Sequence, residues 1–283
     1  MSVFDQKPAP FFDLLVHDVE RIPGLTAGSA GYENKEWRNE ALAEYLFEWL
    51  PEFALQYSDL EELNSTTARK LLKKAATTVY TTEKYQRRGE FGELLMHAIL
   101  REVFDSQPAI SKLYFKTSTN ETVKGFDAVH VVENGDELEL WLGEVKFQKD
   151  VSDAIRKVTK ELEDHTDGNW LRKEFILIDS KIDHRWRHAQ ALRTLISERT
   201  SLDVIFKRTC IPVLLTYESA AVGAHTETCD MFKLAIEAEL ERVYQNFASN
   251  NLPPVRIHLL LIPLSGKDAL IDILHRKLEG QQR

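Results

Sequence analysis

The sequence predicts an α/β protein in which helices cover a mixed or parallel β-sheet. The second half of the chain alternates apolar runs of strand length with amphipathic helical stretches, a pattern that is typical of such a sheet. Near the middle of the chain, two runs rich in Val, Leu and aromatic residues flank Asn134-Gly135-Asp136, the strongest short-range signal for a β-hairpin. A chain of 283 residues, 43% of them hydrophobic, is also long enough to bury a sizeable core.

Residues 1–80 are predicted to form a mostly helical extension. Its predicted elements are a strand or short helix over residues 11–16, a loop over residues 23–31 and helices over residues 35–50 and 66–79. The loop is predicted because Gly, Ser and Ala dominate that stretch. Apolar residues at helical spacing indicate the first helix, and a proline follows it directly. The second helix carries a basic face formed by Arg69, Lys70, Lys73 and Lys74.

Residues 81–283 are predicted to form the main domain. Periodicity predicts helices over residues 84–104, 151–165, 184–199, 228–248 and 267–278. Short apolar runs predict strands over residues 112–117, 174–179, 212–217 and 256–262, besides the hairpin between residues 125 and 147. Gly89 and Gly92 lie near the start of the first of these helices, where glycine is unfavourable. Close approach of this turn to another backbone would explain them, and a frayed helix start is the alternative.

The register of the hairpin decides which charged side chains meet. If Gly135-Asp136 form the loop, Asp127 lies directly opposite Glu144, and if Asn134-Gly135 form it, Glu144 is a diagonal neighbour of Asp127. Both registers place the two carboxylates on one face, because side chains alternate along a strand. Lys146 lies two residues beyond Glu144 and shares that face.

Two carboxylates beside an ammonium suit a hard divalent cation. Mg²⁺ prefers oxygen ligands, keeps several waters and is commonly held by one or two carboxylates together with substrate phosphates. Such an ion polarises a phosphoryl oxygen and lowers the pKa of a bound water, and a lysine can orient that water or stabilise developing charge. The alternative is an ordinary solvated strand face with alternating acidic and basic residues.

The composition narrows the classes of function. With 36 Lys and Arg against 45 Asp and Glu, the net charge is −9. A partner is therefore expected to supply part of the contacts that bind DNA. The two cysteines lack the spacing of a zinc site or a disulfide framework, and no Walker phosphate loop is present. The N-terminus has no signal-peptide pattern and no apolar run could span a bilayer, so a cytoplasmic protein is expected.

Three motifs follow one another in a recognisable order. They are Gly89-Glu90-Phe91-Gly92-Glu93, Gly125-Phe126-Asp127 and Gly143-Glu144-Val145-Lys146. This order resembles the core of the PD-(D/E)xK nuclease superfamily, an αβββαβ arrangement, with Phe126 in place of the usual proline. More narrowly, the chain resembles the HamA family, the nuclease subunits of the Hachiman anti-phage defence system. The motifs fall within roughly residues 84–180, and the flanking regions resemble the family only in length and order of elements.

The resemblance implies metal-dependent DNA cleavage by a protein that works with a separate helicase subunit. We expect that subunit to hold the nuclease inactive until foreign or damaged DNA is sensed. Carried onto this sequence, the resemblance implies that Asp127 and Glu144 bind Mg²⁺, with Mn²⁺ able to substitute and the Val145 carbonyl as a further ligand. It implies that Lys146 positions the water.

The helix carboxylate of the predicted site is assigned to Glu93, which would bind the metal or support its ligands. Glu90 is the rival for this role, and Glu93 is preferred because its spacing from Gly89 better matches the related helix motif.

Two other functions are alternatives to a DNA nuclease. The first is a non-catalytic module that binds nucleic acid or a partner on a nuclease fold, and the second is an RNase. The intact pair of carboxylates with its lysine favours a nuclease. Two surfaces are predicted to dock the partner: the helical region around Trp37–Trp49, for which core packing is the alternative, and the basic helix at residues 69–74.

Overall fold

The computed structural model describes residues 2–79, 89–111, 125–135 and 137–283 and shows an α/β fold built on a mixed seven-stranded sheet. Nine strands are described: β1 (Asp13–Asp18), β2 (Gly24–Ser29), β3 (Tyr32–Glu33), β4 (Glu36–Trp37), β5 (Gln107–Ser111), β6 (Ala128–Asn134), β7 (Glu137–Phe147), β8 (Thr209–Glu218) and β9 (Arg256–Leu264). In the large sheet the order is β1-β2-β9-β8-β7-β6-β5, and β3 and β4 form a separate small hairpin.

Twelve helices are described, besides a short 3-10 helix at Val3–Asp5. They are α1 (Asn39–Glu48), α2 (Leu50–Ala54), α3 (Tyr57–Glu61), α4 (Ala68–Val79), α5 (Glu90–Phe104), α6 (Val151–His165), α7 (Gly168–Lys181), α8 (Ala189–Ile196), α9 (Leu202–Lys207), α10 (Ala220–Ala224), α11 (Asp230–Ala248) and α12 (Lys267–Gln282). None of the helices in the described residues is long and apolar enough to cross a membrane.

Parallel pairing is confined to the middle of the sheet. The neighbouring strands β2, β9, β8 and β7 run parallel, and antiparallel pairs complete both edges. Strands β8 and β9 are buried along nearly their whole length, as expected for central parallel strands covered on both faces. Helix α6 covers one face with an apolar stripe that includes Ile155, Val158 and Leu162, and it begins where Asp150 accepts a hydrogen bond from the Asp153 amide at 2.7 Å.

The predicted hairpin is confirmed, in the first of its two registers. Asn134 pairs with Glu137 and Ala128 with Gly143, which is the register predicted for the shorter separation of Asp127 and Glu144. Gly135 has φ +61°, a left-handed conformation that suits glycine in a tight turn.

The N-terminal region joins the main sheet directly. The loop predicted over residues 23–31 is wrong, because Gly24–Ser29 form β2 between β1 and β9. The helix predicted over residues 35–50 begins later, at Asn39, while the helix over residues 66–79 is confirmed as α4. Trp37 and Trp49 are buried, so core packing, and not a docking surface, accounts for these aromatics.

One element of the second half was predicted wrongly, and another was predicted too long. The strand predicted over residues 174–179 is part of helix α7, and the helix predicted over residues 184–199 is confirmed as the shorter α8. The strand predicted over residues 112–117 and the helix start at residues 84–88 lie outside the described residues. In the described residues the elements follow in the order α5, β5, β6, β7, α6 and α7, and the next strand along the chain is β8. The specific PD-(D/E)xK core stays a prediction.

A buried arginine ties the N-terminal helices to the sheet. We use the name arginine cluster for Arg101, Glu52, His97, His130 and Ser106. The Arg101 guanidinium pairs with the Glu52 carboxylate of α2 and donates to the carbonyl of Phe4 at 2.6 Å. The His130 ring, on β6, accepts or donates a hydrogen bond with the Ser106 hydroxyl at 2.8 Å and packs edge-on against His97 of α5. This cluster fixes α5 and α2 on one face of the sheet.

Candidate metal and catalytic site

The predicted carboxylates meet where the β6–β7 hairpin joins the sheet. Asp127 directly precedes β6, and its amide donates to the Gly143 carbonyl at 2.8 Å, beside the last pair of the ladder, Ala128 with Gly143. Asp127 is therefore next to Glu144, close enough for its charge to act on that carboxylate. The Asp127 carboxylate is held in place by the Val145 amide, which donates to Oδ2 at 2.8 Å. Both carboxylates are buried.

Lys146 shares this face and is also buried. Its ammonium pairs with Glu161 of α6 and donates to the Val145 carbonyl at 3.1 Å. The Val145 carbonyl, which the resemblance implies as a further metal ligand, therefore lies beside the predicted catalytic lysine. Glu161 is 41% exposed, so its carboxylate can turn into solvent when the Lys146 ammonium takes another anionic partner.

A histidine and a tryptophan cover Glu144. His165, the last residue of α6, hydrogen-bonds the Glu144 carboxylate through Nδ1. The His165 ring stacks on Trp170 of α7 with ring centroids 4.2 Å apart and an interplanar angle of 10°. Phe126 packs edge-on against both rings, with centroids at 5.4 Å. The histidine that bonds Glu144 is thus held in a cluster of three rings.

Burial shapes the acid–base chemistry of the site. Burial raises the pKa of Glu144 to about 7, and the negative charge of Asp127 adds to the rise, while His165 and Lys146 oppose it. Burial lowers the pKa of His165, but the hydrogen bond and charge of Glu144 outweigh it, so the pKa of His165 is raised. Carboxyl groups perturbed by burial together with a specific charged neighbour are common at functional sites.

The oxygen atoms at this site fit a hard divalent cation that takes only a few of its ligands from the protein. Within residues 2–79, 89–111, 125–135 and 137–283, no group of three or more His, Cys, Asp or Glu side chains is arranged to hold a metal ion. Two carboxylates and a backbone carbonyl are nonetheless enough for Mg²⁺, which keeps several waters. A cation between Asp127 and Glu144 would also offset the repulsion that contributes to the raised pKa of Glu144.

The helix glutamates lie in the first turn of α5, which packs against β7. Glu90 and Glu93 are both buried. Helix α5 approaches β7 so closely that a Cβ on Gly92 would lie 2.7 Å from the Val145 side chain and 2.8 Å from that of Phe147. The predicted close approach therefore explains Gly92, although the contact is with side chains and not with backbone. The role of Glu93 at the site, and its preference over Glu90, stay predictions.

Three residues near the site were not identified from the sequence: His165, Trp170 and Glu174. Glu174 is buried on α7, where a Cβ on Gly125 would lie 2.4 Å from its Oε1. Leu171, Phe175 and Ile178 recur at helical spacing, and this signal could have identified α7 and the inward face that carries Glu174. No local signal places His165 over Glu144, because the two belong to elements whose packing the sequence does not state.

Fold and site together define the class of protein: an α/β protein with a buried pair of carboxylates and a lysine on its central hairpin. A family model described as HamA matches residues 10–278, and the chain belongs to the HamA family, as predicted. The chain is also similar to Anti-bacteriophage protein A of Escherichia coli strain K12. The two are 26% identical over 257 residues, which cover 87% of this chain and 46% of that protein. The chain thus spans about half the length of this curated relative.

Proposed function

We propose that this chain is a Mg²⁺-dependent DNA nuclease that acts in anti-phage defence together with a helicase partner. The observation that carries the proposal is the shared face of Asp127, Glu144 and Lys146 at the β6–β7 hairpin. Paired carboxylates beside an ammonium suit phosphodiester hydrolysis, in which catalysis is largely positioning and charge stabilisation.

Each residue of the site has a distinct role in this proposal. Asp127 and Glu144 hold the ion, with the Val145 carbonyl as a further ligand, and Asp127 is already oriented by the Val145 amide. When bound, Mg²⁺ supplies a polarised phosphoryl oxygen and a water of lowered pKa. Lys146 leaves Glu161 to orient the water and to stabilise charge at the phosphorus. Glu93 supports the ligands from α5.

Membership in the HamA family and the name of the E. coli relative support a role in defence against bacteriophage. The net charge of −9 supports a partner, because DNA and this chain carry charge of the same sign. An unrestrained nuclease would attack the genome of its own cell, so the partner both restrains the nuclease and delivers it to DNA. A helicase that uses ATP fits both tasks, and the basic face of α4 is the proposed docking surface.

Cleavage of supercoiled plasmid tests the nuclease activity. Metal-stripped protein is incubated with Mg²⁺, Mn²⁺, Ca²⁺ or EDTA, and we expect cleavage with the first two, weak cleavage with Ca²⁺ and none in EDTA. Undiminished cleavage in EDTA would contradict the metal assignment. An RNA substrate in parallel reactions distinguishes a DNase from an RNase.

Reconstitution with the helicase tests the restraint. The two proteins are co-purified, and plasmid cleavage is compared with and without ATP and with DNA that carries free ends. We expect a stable complex that is inactive until ATP and DNA ends are present. If the proteins do not associate and this chain alone digests DNA freely, the restrained nuclease is replaced by an independent one. DNA binding without any cleavage would instead favour the non-catalytic module.

A further inference from the structure

A half-buried lysine lies at the end of the strand that carries the candidate site. Lys267 is the first residue of α12, and its ammonium lies 5.2 Å from the centroid of the Phe147 ring. Phe147 is the last residue of β7 and directly follows Lys146. Three residues of extended strand span about 10 Å, and Phe147 alternates to the face opposite Glu144. A DNA strand that reaches both Glu144 and Lys267 therefore passes the end of β7, a path of a few nucleotides at about 3.4 Å of axis per nucleotide.

The lysines near Lys267 form ion pairs, and the Lys267 ammonium does not. Lys149 pairs with Asp268 and lies 3.9 Å from Glu218, and Lys157 pairs with Asp153 at 2.6 Å. In the part of the chain that the structure describes, the Lys267 ammonium makes neither an ion pair nor a hydrogen bond. A charged amine that is half withdrawn from water without an anionic partner is unfavourable unless a ligand supplies the anion.

Charges of both signs surround Lys267. Burial lowers the pKa of Lys267, and the positive charges of Lys149 and Lys157 lower it further, against the opposing effect of Asp268 and Glu218. The Glu218 carboxylate accepts a hydrogen bond from the Lys267 backbone amide at 3.1 Å, so it caps the start of α12. The Lys267 ammonium, and not the helix N-terminus, is therefore the group that can bind an anion.

Resting on the proposed function, we infer that Lys267, flanked by Lys149, binds a backbone phosphate of the DNA strand whose scissile phosphate lies at Asp127 and Glu144. The Asp268 partner of Lys149 is 71% exposed, so an arriving phosphate can take its place beside Lys149 without stranding a buried carboxylate. Lys267 is thus a positioning residue that sets where along the strand the site acts, and it reads no base sequence.

Salt-dependent DNA binding, measured without cleavage, tests this inference. A labelled DNA duplex is titrated in EDTA with the intact chain, and fluorescence anisotropy gives the affinity between about 50 and 200 mM salt. We expect Lys267→Gln to weaken binding by about 3- to 10-fold and to reduce the slope of log affinity against log salt by about 1. Lys267→Arg should retain both. Lys277→Gln is the matched control, since Lys277 lies on the same helix, paired with Glu44, at its far end.

Each outcome decides the inference. Equal salt slopes for Lys267→Gln and Lys277→Gln overturn it, as does an unsubstituted chain that shows no salt-dependent binding. Should Lys267→Gln fold poorly by circular dichroism, Lys149→Gln supplies the same comparison, with an expected loss in the same direction. The readout is independent of catalysis. If binding depends on Lys267 but the chain never cleaves DNA, this inference stands and the proposed nuclease activity is rejected. If the chain cleaves DNA but binding does not depend on Lys267, the nuclease activity stands and this inference is rejected.

Discussion

Two buried polar clusters lie on opposite faces of the central sheet, and they differ in how completely their charges are paired. In the arginine cluster, Arg101 meets the Glu52 carboxylate and two backbone carbonyls, so its donors are directed at acceptors. In the candidate site, Glu144 and Asp127 are like charges that meet across the hairpin, and burial with their repulsion raises the pKa of Glu144. The first arrangement satisfies its own charges, and the second is suited to a cation from outside.

The contrast teaches which cluster supports the fold and which supports a reaction. A buried ion pair is strongly destabilised when one partner is removed, because the other charge is left buried. A site that holds unmatched charge has the opposite property, since neutralising it relieves the fold while removing the function. Substitutions in the arginine cluster should therefore lower the stability of the fold, whereas substitutions in the candidate site should lower activity without lowering stability.

The largest expected effect is on the fold. Arg101→Met leaves the Glu52 carboxylate without its guanidinium, and we expect the free energy of unfolding to fall by about 3–5 kcal/mol. Urea denaturation followed by circular dichroism measures it. Arg276→Met is the matched control, because Arg276 pairs with Glu40 on the surface, where an ion pair contributes about 0–1 kcal/mol. Similar unfolding midpoints for the two variants would show that the arginine cluster does not support the fold.

The next effect is on cleavage. Glu144→Gln removes a proposed metal ligand, and we expect the rate of plasmid cleavage to fall at least about 100-fold. At pH 8 in EDTA, the free energy of unfolding should be unchanged or higher, because the amide replaces a buried carboxylate that is ionised above its pKa of about 7.

Glu137→Gln provides the control for this prediction. Glu137 lies at the opposite end of the same strand, exposed and paired with Arg208, and the substitution is chemically identical. Cleavage at the unsubstituted rate by the Glu144→Gln variant would remove Glu144 from the site.

A smaller effect is expected from acid, and it tests the arginine cluster. Burial holds the pKa of His130 well below its ordinary value of 6.5, and the positive charges of His97 and Arg101 act in the same direction. The unfolded chain therefore takes up a proton at His130 as the pH falls through about 6.5, and the folded chain does not, so stability is lost on acidification. We expect His130→Gln to reduce this loss between about pH 7.5 and about pH 5 in urea titrations.

The control for the acid effect is His184→Gln, since the His184 side chain is 81% exposed. It should leave the pH dependence of unfolding unchanged. If the free energy of unfolding falls with pH equally in the unsubstituted chain and the His130→Gln variant, His130 does not contribute to acid sensitivity.

The smallest effect is expected at the exposed partner of Lys146. Glu161→Gln removes the exposed carboxylate but keeps an amide oxygen that can accept a hydrogen bond from the Lys146 ammonium. We therefore expect the cleavage rate to change by less than about 3-fold and stability by less than about 1 kcal/mol. The measurements are the same plasmid assay and urea titration. A loss as large as that of Glu144→Gln would place Glu161 in the catalytic machinery.

Failures of sequence prediction in this chain follow from neighbours that are distant in sequence. Residues 24–29 contain Gly, Ala, Ser and Thr and resemble a loop, yet they form a strand against β9. A Cβ on Gly24 would lie 2.4 Å from the His258 ring, so the small residue there reflects close approach by another strand. At residues 174–179, a short apolar run fits both strand and helix, and the structure has a helix there that packs against α6 and α8.

The sequence by itself determined the hairpin and the shared face of Asp127, Glu144 and Lys146, because alternation along a strand and the glycine turn are local properties. It also determined the family, through the order of three short motifs. The tertiary structure alone decided that His165 and Trp170 cover Glu144 and that Lys267 reaches the end of β7. These contacts join elements far apart in the chain, so they depend on how helices pack against the sheet, which no local pattern specifies.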